Sequence, residues 1–208
     1  MTTSLRAELL GLPESLPRFR LLLPAGWQSH PITAETAERF EQQARGVFMR
    51  AGRPDLDGVF TSDLQRSMRG LERTGARYVI LPENRPDGVP LPLSLIVSLI
   101  SGDNGVSLDD WVAARFRQGA QMLDQNGQIV FWRTRRPAGE PEVHQVQSTY
   151  VVPVPETGRN KALMFTGTGL VGSEAPEDDD MVVASNAMFD AIVSTVSWVL
   201  VPADGGAE

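Results

Sequence analysis

The chain contains no cysteine, two histidines and one lysine among its 208 residues. The absence of cysteine excludes disulfide bonds, thiol nucleophiles and thiolate metal ligands. The two histidines, His30 and His144, are too few to form a multi-histidine metal centre by themselves. We therefore expect no transition metal and no other bound cofactor.

Long hydrophobic runs are also missing. A membrane-spanning helix requires roughly 18 to 20 consecutive apolar residues, and no segment approaches this length. The most apolar segment, residues 181–199, is interrupted by polar side chains such as Asn186 and Asp190. We expect no membrane association and a cytoplasmic location.

Basic charge is supplied almost entirely by arginine, because Lys161 is the only lysine among 19 basic residues. This bias is typical of GC-rich bacterial genomes. Residues 1–100 contain 12 arginines and 11 acidic residues, whereas residues 101–208 contain 7 basic and 15 acidic residues. The resulting net charges are +1 and −8. An acidic surface repels nucleic acid and anionic lipid, so we expect neither as a partner; it suits solubility or a basic protein partner.

Apolar residues alternate with a period of two over residues 89–99 and 143–154, which is typical of half-buried strands. Turn-forming residues at 155–160 connect the second of these to a returning strand. The other predicted strands are 19–23, 77–81, 128–134 and 162–168. Their order indicates an α+β sandwich, in which an antiparallel β-sheet of about six strands is backed by helices.

Helices are predicted between these strands. Thr33 can cap a helix that ends near Ala51, and a second helix over residues 62–74 is closed by Gly75. Ser107 and Asp110 form a capping-box-like start to a helix that extends towards Leu123. A short helix is also predicted at residues 4–10. We treat residues 1–208 as one domain, with a helical insertion at 33–75 and a disordered tail at 203–208.

The apolar segment 181–199 predicts a last helix lying across the sheet. Its four preceding acids, residues 177–180, point in different directions, so we interpret them as a solvated loop with Asp179 or Asp180 as helix cap. We expect Ile192 and Trp198 to pack against the strand that contains Leu95 and Val97.

A short motif carries a family resemblance. The strand ending in Leu23-Pro24-Ala25-Gly26-Trp27 resembles the opening of the PsbP-like superfamily, which includes PsbP, the Ran-binding Mog protein and the actinobacterial LpqN lipoproteins. The resemblance covers residues 16–30 and 90–200, including the capped helix at Ser107 and the final helix ending at Trp198. It implies a scaffold that binds other proteins. The helices at 33–74 are larger than the family's usual connection, and no lipobox cysteine is present.

Residues 167–172 match the GxGxxG pattern of dinucleotide-binding folds. That mechanism needs a helix N-terminus directly after the glycines, whereas acidic residues follow here. We interpret the glycines as a strand end, where they permit a bulge or a close backbone contact. His144 with Ser148 or Ser194 could form a Ser-His-acid arrangement, but no G-x-S-x-G elbow exists, and His30 is predicted in a turn.

Two arginine clusters are the candidate binding residues. Arg66, Arg69 and Arg73 recur at helical spacing, and residues 133–136 contain three arginines. Guanidinium groups bind acidic groups bidentately, although such charges more commonly form a solvated face. We assign partner binding to Arg66, Arg69 and Arg73.

These observations predict a non-catalytic protein-binding accessory or adaptor, of the chaperone, secretion-accessory or immunity type, in a bacterial cytoplasm. The alternative is a small-molecule-binding domain with an apolar pocket between sheet and helices. An exposed arginine-lined patch favours the first function, and an enclosed pocket with convergent polar groups favours the second.

Overall fold

The computed structural model describes residues 18–83, 92–102, 107–123, 128–139 and 141–199. The strands in these ranges are β1 (Phe19–Arg20), β2 (Trp27–Pro31), β3 (Ala76–Pro82), β4 (Leu93–Ser101), β5 (Gln121–Met122), β6 (Val130–Pro137), β7 (Val143–Pro153), β8 (Lys161–Gly172) and β9 (Ser197–Trp198). The helices are α1 (Ala34–Arg50), α2 (Asp55–Arg73), α3 (Leu108–Arg117) and α4 (Asp180–Ser194).

Seven of the described strands form one antiparallel sheet in the order β2-β3-β4-β8-β7-β6-β5. The other two, β1 and β9, pair with each other as a separate ribbon. The predicted α+β sandwich with an antiparallel sheet of about six strands is confirmed, with one strand more than expected.

One face of the sheet is covered by α4. Leu95 and Val97 of β4 are fully buried and belong to the same apolar cluster as Ile192 of α4. Their predicted packing is therefore confirmed. Burial of such side chains is the main stabilising contribution to a fold of this kind, at about 25 cal/mol per Å² of apolar surface.

The opposite face is covered by the remaining helices. Leu108 of α3 packs on Val151, and Trp111 of α3 meets Trp132 of β6 edge to face with ring centroids 5.7 Å apart. At the other end of the sheet, Phe40 of α1 contacts the His30 ring at 5.1 Å. Helices therefore lie on both sides of the sheet.

The glycines of the GxGxxG pattern lie in β8, where they permit close packing. A Cβ atom at Gly167 would come within 2.7 Å of the Phe189 ring in α4, and one at Gly169 within 2.9 Å of Leu93. The glycines lie in the second half of a strand, but the groups in close contact with Gly167 and Gly169 are side chains and not the predicted backbone, and no helix begins at Gly172.

The predicted helix ends agree with the structure at four places. The side chains of Thr33, Ser107 and Asp179 accept hydrogen bonds from the first turns of α1, α3 and α4. Gly75 follows α2 with φ +74°, the left-handed conformation that favours glycine at this position.

Two helix boundaries before α4 were predicted wrongly. α2 begins at Asp55 instead of residue 62, because Pro54 and acidic residues in the first turn favour a helix start there. α3 ends at Arg117 and does not reach Leu123, because Gly119 has φ +97° and the chain continues into β5.

The last helix is also shorter than expected, since α4 ends at Ser194 and Trp198 lies in β9. The Thr195 hydroxyl donates to the Ile192 carbonyl at 2.7 Å and accepts from Leu22 N–H at 2.9 Å, so it joins the helix end to the N-terminal segment. Trp198 is half-buried and packs on Phe19.

The predicted helix at 4–10, the strand residues 89–91 and the tail at 203–208 lie outside the described residues. In the described part of the chain, no helix is long and apolar enough to cross a membrane.

Candidate functional site

Arg66, Arg69 and Arg73 all lie exposed on α2, on the side away from the buried Met68. We call these three residues the arginine face. The Arg66 guanidinium pairs with Asp63 at 2.9 Å, and Arg73 Nε donates to the Arg69 carbonyl at 3.1 Å. The structure therefore places the three predicted residues together on one accessible helix surface.

An apolar side chain extends the arginine face. Val59 is 62% exposed and lies seven residues before Arg66, which places it on the same side of α2. Contacts between α1 and α2 hold this surface: Phe48 and Phe60 meet edge to face at 5.6 Å, and Arg45 pairs with Asp57 at 2.9 Å.

The second arginine cluster is divided between the two faces of β6. Successive residues of a strand point to opposite faces, so Arg133 and Arg135 lie on the α4 side and Arg136 on the other. Arg136 donates to Gln147 at 3.0 Å. Because the arginines separate, they do not form one binding patch.

A cleft of about 580 Å³ lies between α4 and strands β6 and β7. Its walls combine charged, amide and apolar side chains. The residues that line it are Arg133, Thr134, Arg135, Val146, Gln147, Glu177, Val182, Val183, Asn186, Ala187 and Asp190.

A hydrogen-bonded network connects the cleft to the core. Asp190 of α4 accepts from the Arg133 guanidinium and from the Tyr150 hydroxyl, both at 2.6 Å. Beside this pair, the Ser148 hydroxyl donates to the Asn186 side chain at 2.8 Å. The network fixes α4 against β6 and β7 and neutralises the charge of Asp190.

Burial, together with the hydrogen bond to Asp190, raises the pKa of Tyr150 well above its ordinary value. The phenol therefore remains protonated at neutral pH and acts as a hydrogen-bond donor. It does not supply a base to the cleft.

Arg135 has a different role from Arg133. Its guanidinium donates to the carbonyls of Gly172 and Ser173 at 3.0 Å and of Ala175 at 2.5 Å, and to His144 Nδ1 at 2.9 Å. These bonds hold the loop between β8 and α4, which leaves little capacity for a ligand.

The structure does not assemble the Ser-His-acid arrangement. Ser148 bonds to Asn186, Ser194 bonds to the Ala191 carbonyl, and His144 bonds to Arg135. No group of three His, Cys, Asp or Glu side chains in the described ranges is placed to hold a metal ion.

His30 was wrongly predicted in a turn, since it is a buried residue of β2. Its Nε2 lies 2.6 Å from Glu83, and its Nδ1 accepts from Arg39 of α1 at 2.6 Å. The residue before a proline favours extended backbone, which is compatible with an edge strand.

Sequence reasoning missed the cleft residues Asn186 and Asp190. They are separated by 38 and 57 residues from their partners Ser148 and Arg133, so no local pattern connects them. The one available signal in the sequence was that these two polar residues lie four positions apart in the otherwise apolar α4.

Together these features define an α+β sandwich with an exposed arginine face and an open cleft, a class of fold that serves many functions. No protein-family model matches the chain, and no curated protein matches it.

Among solved structures, the chain is similar to the Saccharomyces cerevisiae Ran-binding protein Mog1p and to a point mutant of the protein Mog1. Each is 12% identical to this chain, with a TM-score of 0.41. The matched region covers 60% of this chain in both cases, and it covers 79% of the Mog1p chain and 80% of the mutant chain. A Bacteroides thetaiotaomicron structure is 9% identical to this chain, with a TM-score of 0.41, and the matched region covers 88% of this chain and 45% of the Bacteroides chain. Likenesses of this size do not assign the chain to a family.

Proposed function

We propose that the protein is a non-catalytic protein-binding module that contacts its partner through the arginine face. The observation that carries this proposal is the placement of three exposed arginines and the exposed Val59 on one side of α2. Arginine is enriched at protein interfaces, where its planar fork supplies several donors and its stem supplies apolar contact.

The partner surface is acidic in this proposal. The Arg66–Asp63 pair is solvent-exposed on both sides, with 73% and 60% of the side chains accessible, so its exchange for a partner carboxylate costs little. The hairpin of α1 and α2 presents the arginines on a fixed surface, which lowers the entropic cost of association.

A chaperone, secretion-accessory or immunity-type role in a bacterial cytoplasm belongs to the same proposal. It is supported by the arginine-rich composition and by the sequence resemblance to a superfamily of binding scaffolds.

Capture of partners from a bacterial lysate tests the proposal. The immobilised protein is compared with a double variant, Arg66→Glu and Arg69→Glu, and with a charge-matched control, Arg117→Glu and Arg159→Glu, whose residues are exposed elsewhere. We expect the arginine-face variant to lose at least 90% of a specific partner and the control to retain it. Equal retention by both variants would refute the arginine face as the contact.

A small-molecule site is the second candidate, because the cleft lies between sheet and helix and has a volume typical of ligand pockets. Its lining is mixed, not apolar, and Arg133 and Asp190 already neutralise each other there. We rank this function second for that reason.

A further inference from the structure

Within the residues that the structure describes, the outer edge of β6 is largely uncovered. β7 pairs with β6 along its whole length, but on the other side β5 reaches only Val130 and Phe131. In the described residues, no strand pairs with the outer side of β6 beyond Phe131. A strand edge of this kind is a template for pairing with another chain.

Two hydrogen bonds show which backbone N–H and C=O groups of β6 point towards its outer edge. The Ile129 carbonyl accepts from Leu123 N–H, on the β5 side, and Ala138 N–H donates to the Val143 carbonyl, on the β7 side. Successive residues alternate their backbone groups between the two sides of a strand. The N–H and C=O groups of Arg133 and Arg135 therefore point outward.

The side chains of these two arginines leave that edge open. Arg133 is held by Asp190 of α4, and Arg135 is held by the carbonyls of the loop between β8 and α4. Charged side chains often protect a free edge, but here they are bonded to the α4 side of the sheet.

The cleft runs beside the same edge. Arg133, Thr134 and Arg135 of β6 form one of its walls, and α4 forms the other with Val182 and with Val183, which is 51% exposed. A peptide added to β6 as a further strand would point alternate side chains towards this cleft. An extended peptide between an edge strand and a helix is a recurring mode of recognition.

Charge selects the kind of peptide. Arg133 and Arg136 lie on opposite faces of β6, and the Arg115 guanidinium lies 5.2 Å from the centre of the Trp132 ring of the same strand. Because Arg133 is already paired with Asp190 on the α4 side, acidic side chains of an added strand are favoured on the opposite face, beside Arg136 and Arg115.

We propose that β6 binds an extended, acidic segment of a partner protein as an added strand, with alternate apolar side chains seated in the cleft beside α4. This inference rests on the proposed function of a protein-binding module and adds a second contact to the arginine face.

The test uses an end-blocked, fluorescent octapeptide that alternates valine and glutamate, measured by anisotropy at low salt. Two further peptides carry N-methyl groups on the valines or on the glutamates, which removes alternate backbone donors. We expect one N-methyl series to weaken binding at least tenfold and the other to change it less than threefold. A valine–lysine peptide should bind at least tenfold more weakly.

Comparison of Arg133→Pro with Arg133→Ala separates the contribution of the backbone N–H to peptide binding from that of the side chain. Both substitutions remove the guanidinium, but only proline removes the outward N–H. The proline variant should bind the valine–glutamate peptide at least tenfold more weakly than the alanine variant. If Arg133→Pro does not fold, the two N-methyl series on the wild-type protein decide the question.

Several results would overturn the inference. The first is no binding of the valine–glutamate peptide at 1 mM, and the second is an equal effect of both N-methyl series. The third is a dimer of the protein that Arg133→Pro dissociates, because this would assign the edge of β6 to a second copy. A captured partner that depends on the arginine face but not on β6 would remove this inference and leave the proposed function intact. A captured partner that depends on β6 but not on the arginine face would refute the arginine face as a contact and leave this inference intact.

Discussion

Gly167 of β8 permits the close approach of α4 to the sheet. The Phe189 ring of α4 occupies the space into which any larger residue at 167 would extend its Cβ. Interiors are close-packed, so a clash of this size has to be relieved by moving the ring or the helix. The glycine is therefore required by packing and not by backbone conformation.

We predict that Gly167→Ala lowers the free energy of unfolding by about 1–3 kcal/mol, because the added methyl overpacks the Phe189 contact. Gly172→Ala in the same strand is the matched control, since nothing lies within 4 Å of a Cβ there. Urea denaturation of both variants measures the difference. Equal stabilities would contradict the packing account.

Tyr150 gives a prediction about pH. Its pKa is raised in the folded state by burial and by Asp190, whereas the ordinary value is about 10. The unfolded chain therefore loses the phenolic proton at a lower pH than the folded chain, and stability must fall as the pH rises above about 10.

Urea denaturation between about pH 9 and 11 should show this fall in the wild-type protein, because about 10 is the ordinary pKa of tyrosine. Tyr150→Phe cannot ionise, so its stability should decline less steeply over the same range. A slope that the substitution leaves unchanged would show that the phenol is not buried as described.

At the scale of elements, local chemistry predicted most of the fold. The alternation in β4 and β7 and the caps at Thr33 and Ser107 depend on neighbouring residues, so these features could be predicted from the sequence. β5 and β9 have two residues each and exist only because β6 and β1 pair with them. Their formation depends on tertiary contacts that no local pattern encodes.

Ser107 tests whether its cap anchors α3. Its hydroxyl accepts from Asp110 N–H at 3.0 Å, and α3 carries Trp111 against Trp132. We predict that Ser107→Ala costs about 1 kcal/mol of stability and that Ser107→Asp, which retains an acceptor, costs only a few tenths. Thermal or chemical denaturation checks both values, and an equal loss in both variants would rule out the cap.

At the scale of the whole molecule, the two candidate contacts differ in how far sequence could predict them. The arginine face lies within one helix, so its spacing alone predicted that Arg66, Arg69 and Arg73 share a surface. The cleft depends on residues of α4 meeting β6 and β7, and the free edge of β6 depends on the order of all seven strands. Neither could be found without the tertiary structure.

The charge distribution of the chain determines how the arginine face affects the rate of association with a partner. The chain has a net charge of −7, so an acidic partner is repelled by the molecule as a whole and attracted only near the basic surface. Reversal of two of these arginines should therefore slow association strongly at low salt, where charges interact over longer distances.

The most direct measurement of the central claim is the association rate with the captured partner as a function of salt. For the wild-type protein we predict faster association than for the Arg66→Glu, Arg69→Glu variant at low salt, with the difference fading towards 1 M salt as the Debye length falls to about 3 Å. The Arg117→Glu, Arg159→Glu control should follow the wild type. Identical rates for the wild type and the arginine-face variant at low salt would contradict the account.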